Sequence, residues 1–190
     1  MLTNPFAPLQ AFDYWGFSIA GSFLPKILLA KNSAIDVSTA TSYRNFVIIY
    51  VCGIPGVLLG TLMYGVPRVG RKWAMVGSSA LMGLSLFLFA TVNTEASNIG
   101  LNAMEYFFQS MFNAVLYGWT PEAFPTPIRG TAAGVASFWG RLFSIVSPLI
   151  AADLLTKSLN GPLYLAGAGV FVCTIAILLM PSKSMGAQSY

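Results

Sequence analysis

The sequence predicts an all-α membrane protein with six transmembrane helices. Three observations carry this prediction. Hydrophobic residues make up 56% of the chain and charged residues only 8%, where a soluble domain is about 45–50% apolar and about 25% charged. The mean hydropathy is +0.70. The apolar residues fall into six runs, each about the 20 residues that a helix needs to cross a bilayer. A soluble alternative would require charged outer faces between the runs, and the sequence has none.

The six expected spans cover about 9–30, 43–65, 73–92, 98–120, 128–153 and 163–180. The first is interrupted near its start by Asp13, and no basic region follows Met1, so a cleavable signal peptide is not expected. The second carries Gly56 and Gly60 at GxxxG spacing, and the third begins directly after "RVGRK". Polar residues are spread along the fourth. A second GxxxG, Gly130 and Gly134 extended by Ser137, opens the fifth. Small residues at this spacing let helix backbones approach closely, so the fifth span is expected against protein along much of its length. The sixth ends before the tail "PSKSMGAQSY". Polar or Gly- and Pro-rich connections separate the spans, among them "KNSAIDVSTATS", "GVPRVGRK" and "TKSLNG".

Lys and Arg positions orient the spans. One side collects Arg68, Arg71, Lys72, Arg129 and Lys183, with Glu122 as its acid. The other has Lys26, Lys31, Arg44 and Lys157, offset by Asp36, Glu95 and Asp153. The first side is expected to be cytoplasmic, with both termini there. This distribution accounts for the net charge of +4 without any nucleic-acid partner. The lipid bilayer is the expected partner.

Catalysis is not expected. The chain has no histidine, which removes imidazole metal sites and Ser-His-Asp triads. The acids are scattered, so no nucleophile–base pair is visible. No cofactor or metal is implied, and no phosphate-binding G-x-x-x-x-G-K-[ST] occurs. Cys52 and Cys173 lie in apolar runs and read as small buried thiols.

The chemistry is concentrated in two places. "GWTPEAFPTPIRGTAAG", residues 118–134, sets Glu122 and Arg129 around Pro121, Pro125 and Pro127. Proline ends one helix and suits the first turn of the next, so this is a turn between spans. It shares a side with "RVGRK", where an arginine fork can hold the Glu122 carboxylate. The other place is the fourth span. At 100° per residue Asn102, Glu105, Tyr106, Gln109, Asn113 and Tyr117 share a face about 120° wide. Polar side chains at bilayer depth normally face a bundle interior or a wet cavity. Amides and phenols both donate and accept, which suits a polyhydroxylated or carboxylated solute. Interhelical hydrogen bonding without a ligand is the alternative for each residue. Arg141 lies about 18 Å along the fifth helix from Arg129 at 1.5 Å per residue, so it requires a partner. Glu105 and Asp13 are the two candidates, either as a functional charge pair or as a structural one. Tyr14 and Trp15 are candidates for the cavity wall or for lipid contact.

Two motifs carry a resemblance. Arg68, Gly70, Arg71 and Lys72 resemble the G-x-x-x-D-R-x-G-R-K loop of major facilitator superfamily (MFS) transporters, with Pro67 in place of the Asp. "PEAFPTPIRGTAAG" resembles the E-x-F-P-T-x-x-R-G motif of the sugar-porter-like and synaptic-vesicle-glycoprotein-like branches. "GRLFSIVSPLI" extends the match through Gly140, Arg141 and Pro148, while in "PSKSMG" Lys183 replaces the Glu of a sugar-porter ending. The resemblance implies the C-terminal six-helix half of a twelve-helix fold, with a clipped first span. It implies that Glu122, Arg129 and Arg71, with Arg68 and Lys72, form a charge network latching the cytoplasmic side in the outward-open state. It further implies secondary active transport by alternating access, with a small solute bound between two halves. A solute gradient or a coupled proton, carried by Glu105 or Asp13, would supply the energy. The partner would be the missing N-terminal half or a second chain. A truncated half that regulates a full-length relative, or a homodimerising half, are the alternatives.

Overall fold

The computed structural model describes residues 6–34, 39–66, 70–92, 94–122, 124, 126–158 and 160–179. Asp36, Pro67, Arg68 and Lys183 lie outside the described residues, as do the side chains of Asp13, Lys31 and Glu95. The described chain is helical throughout, with no strand among those residues: α1 (Phe6–Ala34), α2 (Thr39–Val51), α3 (Gly53–Tyr64), α4 (Gly70–Thr91), α5 (Glu95–Glu122), a 3-10 turn (Thr126–Ile128), α6 (Arg129–Lys157) and α7 (Gly161–Leu179).

Four stretches are long and apolar enough to cross a bilayer: Ala40–Tyr64, Arg71–Thr91, Thr126–Lys157 and Gly161–Leu179. This is an integral, multi-pass membrane protein. Six spans were expected; α1 and α5 have the length, at 29 and 28 residues, but fall outside those four. For α5 the cause is its polar stripe, which lowers hydropathy while turning Asn102, Glu105 and Gln109 inward. The expected second span is interrupted at Cys52, between α2 and α3. Pro55 has no N–H to give the Val51 carbonyl, so the helical ladder is broken there. Cys52 is half-buried, not enclosed like Cys173.

Packing follows a simple exchange. The most extensive pairings are α1 with α6, α3 with α5, α4 with α5, α4 with α7, and α1 with α7. Swapping α1 for α5, α3 for α6 and α4 for α7 maps each of these pairings onto another, and α4–α7 onto itself. The pairings among these six helices thus follow a twofold exchange pattern. Two apolar clusters fill the molecule. One, around Met75, Phe112, Trp119 and Ile177, lies toward the end that carries Arg71. The other, around Ile27, Leu86, Phe89 and Leu163, lies toward the opposite end. Between α4 and α7 the Thr174 hydroxyl donates to Ser79 Oγ at 2.9 Å.

The glycines divide sharply. Gly56 and Gly60 bring α3 onto α5: a Cβ on Gly56 would lie 2.3 Å from the Phe107 carbonyl oxygen. Gly130 and Gly134 do the opposite of what their spacing suggests. Both are exposed, with nothing within 4 Å of a built Cβ. The buried stripe of α6 is Ala136, Gly140, Ser147 and Ala151, roughly 100° around the helix from the GxxxG. Exposed Leu58 and Leu62 on α3, and Ile145 and Leu149 on α6, make outer faces suited to an apolar solvent.

Proline inside α6 is answered by a neighbour. Pro148 cannot donate to the Ser144 carbonyl, and Ser18 Oγ of α1 donates to that oxygen instead, at 2.9 Å. Ser18→Ala should therefore cost about 1 kcal/mol. Adding Pro148→Ala, which restores the helix's own donor, should recover most of it. Thermal unfolding of both single variants and the double variant in detergent checks this; strictly additive costs would refute the compensation.

Candidate functional site

A cavity of about 160 Å³ opens between α1, α2 and α5. From α5, Glu105, Tyr106 and Gln109 reach it, because positions three and four apart share a helix face. Phe17 and Gly21 line it from α1, and Phe46 and Tyr50 from α2. Its walls are mainly apolar. The Tyr50 and Tyr106 rings meet edge to face with centroids 4.9 Å apart. Glu105 is only 4% exposed, and its Oε1 has no hydrogen-bond partner among the described residues.

The expected stripe thus divides. Asn102 is buried but turns its amide to its own helix, donating from Nδ2 to the Asn98 carbonyl at 2.6 Å. Asn113 is half-buried and does not line the cavity. Tyr117 is 48% exposed, and its hydroxyl bonds that of Tyr14, tying α5 to α1. The Tyr14 ring lies against Gly140 of α6, where a Cβ would come within 2.5 Å of it. Trp15 packs on Phe143 at 6.0 Å between centroids and against Gly169 of α7, so it faces protein.

Arg141 does not meet Glu105. It is exposed on α6, while Glu105 lies in a cavity bounded by α1, α2 and α5. No ion pair joins Arg141 to an acid among the described residues. The separation is a matter of packing: α5 and α6 have little direct contact. Sequence reasoning missed Phe17, Gly21, Phe46 and Tyr50. Pro25, a helix breaker that also lines the cavity, was the available signal on α1.

At the other site Arg71 is the centre. Its Nη1 lies 3.2 Å from Glu122 Oε2, with side-chain exposures of 14% and 46%. Its Nε donates to the Tyr64 carbonyl at 3.3 Å, and its guanidinium sits 4.3 Å from the centre of the Tyr64 ring. The Tyr64 hydroxyl donates to the Gly118 carbonyl at 3.2 Å. The end of α3, the start of α4 and the end of α5 are thereby joined. Lys72 Nζ donates to the Leu178 carbonyl at 3.0 Å, satisfying a free acceptor in the last turn of α7. Arg129 opens α6, half-buried, and its Nε has no partner among the described residues. The described ion pair of Glu122 is with Arg71, and none joins it to Arg129.

No family model matches the chain. It is similar to an uncharacterised MFS-type transporter of Schizosaccharomyces pombe, 34% identical over 177 residues, which take in 92% of this chain and 31% of that protein. It is also similar to the MFS siderochrome iron transporter 1 of Ceriporiopsis subvermispora, 35% identical over 185 residues, 92% of this chain and 34% of that protein. A third relative is the putative transporter SVOPL of Danio rerio, 30% identical over 122 residues, 62% of this chain and 23% of that protein. The chain spans about a third of the length of the first two. With its long apolar helices and the two motifs at Arg71 and Glu122, the chain belongs to the major facilitator superfamily.

Proposed function

We propose that this chain is the C-terminal six-span half of a secondary active transporter, moving a small polar solute by alternating access. The observation that carries the reading is the cavity with Glu105 buried in its wall. An intramembrane carboxyl group is costly, and its default meaning is a solute or proton path. The exchange symmetry of the helix pairings supports the half-fold, because such halves are built from nested three-helix repeats. In this reading α1 and α5 complete the six spans, and α2 with α3 forms one. The Arg71 end faces the cytoplasm. A sugar, an organic acid or a related metabolite is the solute class, driven by its own gradient or by a proton carried on Glu105 or Asp13. The apolar outer faces of α3 and α6 would meet lipid and a second six-helix unit, either an N-terminal half or another chain.

Arg71 and Glu122 act as the latch of the cytoplasmic side, and by the motif resemblance Arg68, Lys72 and Arg129 belong to the same network. An exposed ion pair contributes only about 0–1 kcal/mol, which suits a latch that must open and still bias two states. Glu122→Gln should shift the population toward inward-open. Reporter cysteines introduced at each end, probed with a membrane-impermeant thiol reagent, measure this in sealed vesicles. Unchanged accessibility from both sides would end the latch reading, and absence of solute uptake by the chain reconstituted with its second six-helix unit would end the transport reading.

A further inference from the structure

The cavity walls discriminate by charge. Glu105 presents a carboxyl oxygen with no partner among the described residues, from a side chain 4% exposed. Gly21 and Pro25 line the cavity from α1. Pro25 has no N–H, so the helix leaves the Gly21 carbonyl without its usual donor four residues on. Both features are acceptors. No lysine or arginine is among the described lining residues. Around them stand the rings of Phe17, Phe46, Tyr50 and Tyr106, whose faces attract cations. An entering cation would stabilise the ionised form of Glu105, whereas a carboxylate would find no fixed positive charge among the described lining residues. A polyol would leave most of its hydroxyls unpaired against apolar walls. The size is also restrictive: the volume is about 160 Å³, and a dry cavity of about 150 Å³ takes a benzene ring.

We propose that this cavity binds a single-ring planar solute bearing a protonated amine or a comparable N–H donor, with Glu105 as its counter-charge, and rejects carboxylates. This replaces the sugar or organic acid of the transport reading with a nitrogen-bearing ring, and it rests on that reading for the cavity's purpose. Gln109 orients the donor group, since its amide can both give and accept.

Three probes share a ring and differ in charge: benzylammonium, benzamide and benzoate. Their binding to the full chain in lipid nanodiscs at neutral pH is measured by calorimetry. The expected order is benzylammonium, then benzamide, then benzoate, with about tenfold or more between first and last. Glu105→Gln should erase the advantage of benzylammonium over benzamide. Gly21→Leu should abolish binding of all three by filling the cavity, and a Cβ there meets nothing within 4 Å, so its effect does not depend on how Glu105→Gln folds. Tightest binding of benzoate, no binding of any probe to the wild type, an unchanged order in Glu105→Gln, or retained binding in Gly21→Leu would each overturn the proposal. Uptake into proteoliposomes separates it from the reading beneath it. Binding in the expected order without uptake by the chain assembled with its second six-helix unit supports the site and ends the transport reading. Uptake of benzoate in preference to benzylammonium supports transport and overturns the site.

Discussion

Gly56→Ala should destabilise the protein by about 3 kcal/mol, at the upper end of what overpacking by a methyl group costs. The added Cβ would lie 2.3 Å from the Phe107 carbonyl oxygen and 3.1 Å from its carbon. Both atoms are backbone, so no rotamer change relieves the contact. The α3 helix has to move off α5. That also loosens Gly60, where a Cβ would sit 2.8 Å from the Met111 carbonyl oxygen. In lipid the association of two helices rests on such close contact, because the surrounding tails are as apolar as the side chains. Gly134→Ala is the control. A Cβ there meets nothing within 4 Å, and alanine is the better helix former by about 1 kcal/mol, so that variant should be neutral or slightly more stable. Thermal unfolding of the two variants in one detergent decides the matter. Equal midpoints would mean that the α3–α5 seam is not close-packed.

Arg71→Ala should cost about 2 kcal/mol, and Glu122→Ala less than half as much. The asymmetry follows from how many contacts each side chain makes. Arg71 loses a hydrogen bond to the Tyr64 carbonyl, about 1 kcal/mol, and its stacking over the Tyr64 ring, about 0.5–1 kcal/mol. Both variants lose the ion pair, which is worth little because the Glu122 side chain is 46% exposed. Arg71→Lys should recover the charge but not the planar contact with Tyr64, and so fall between wild type and alanine. Adding about 1 M salt, which shortens the screening length to about 3 Å, should erase the cost of Glu122→Ala and leave most of that of Arg71→Ala. Denaturant unfolding with and without salt measures both. Equal costs for the two alanine variants would show that the contacts of Arg71 with Tyr64 contribute nothing beyond the ion pair.

The helices were legible because bilayer depth forces long apolar runs, and α4 and α7 differ from expectation by only a few residues. The interruption at Cys52 was written in Pro55, yet a single proline inside an apolar run does not by itself say whether the helix bends or breaks. The α5 stripe was legible because 3.6-residue periodicity groups side chains on one face. Which of them meet the cavity was not, since that depends on where α1 and α2 lie. Gly56 and Gly130 show the same gap. Identical spacing licenses close approach on either helix, and only the direction of the face decides whether a partner is there. Glu105 was one of two candidate partners for Arg141, with Asp13, chosen by depth in the membrane, a measure blind to the direction in which each side chain points.

The uneven seams between helices give the molecule an uneven stiffness. Backbone-to-backbone contact at Gly56 and Gly60 locks α3 and α5 into one plank. Gly140 seats the Tyr14 ring and Ser18 bonds the Ser144 carbonyl, which make α1 and α6 a second plank. The two planks touch each other sparingly, with the cavity and the Tyr14–Tyr117 hydroxyl contact between them. The direct seam between the planks is therefore sparse and contains Glu105, while α4 and α7 join the two planks through broad contacts.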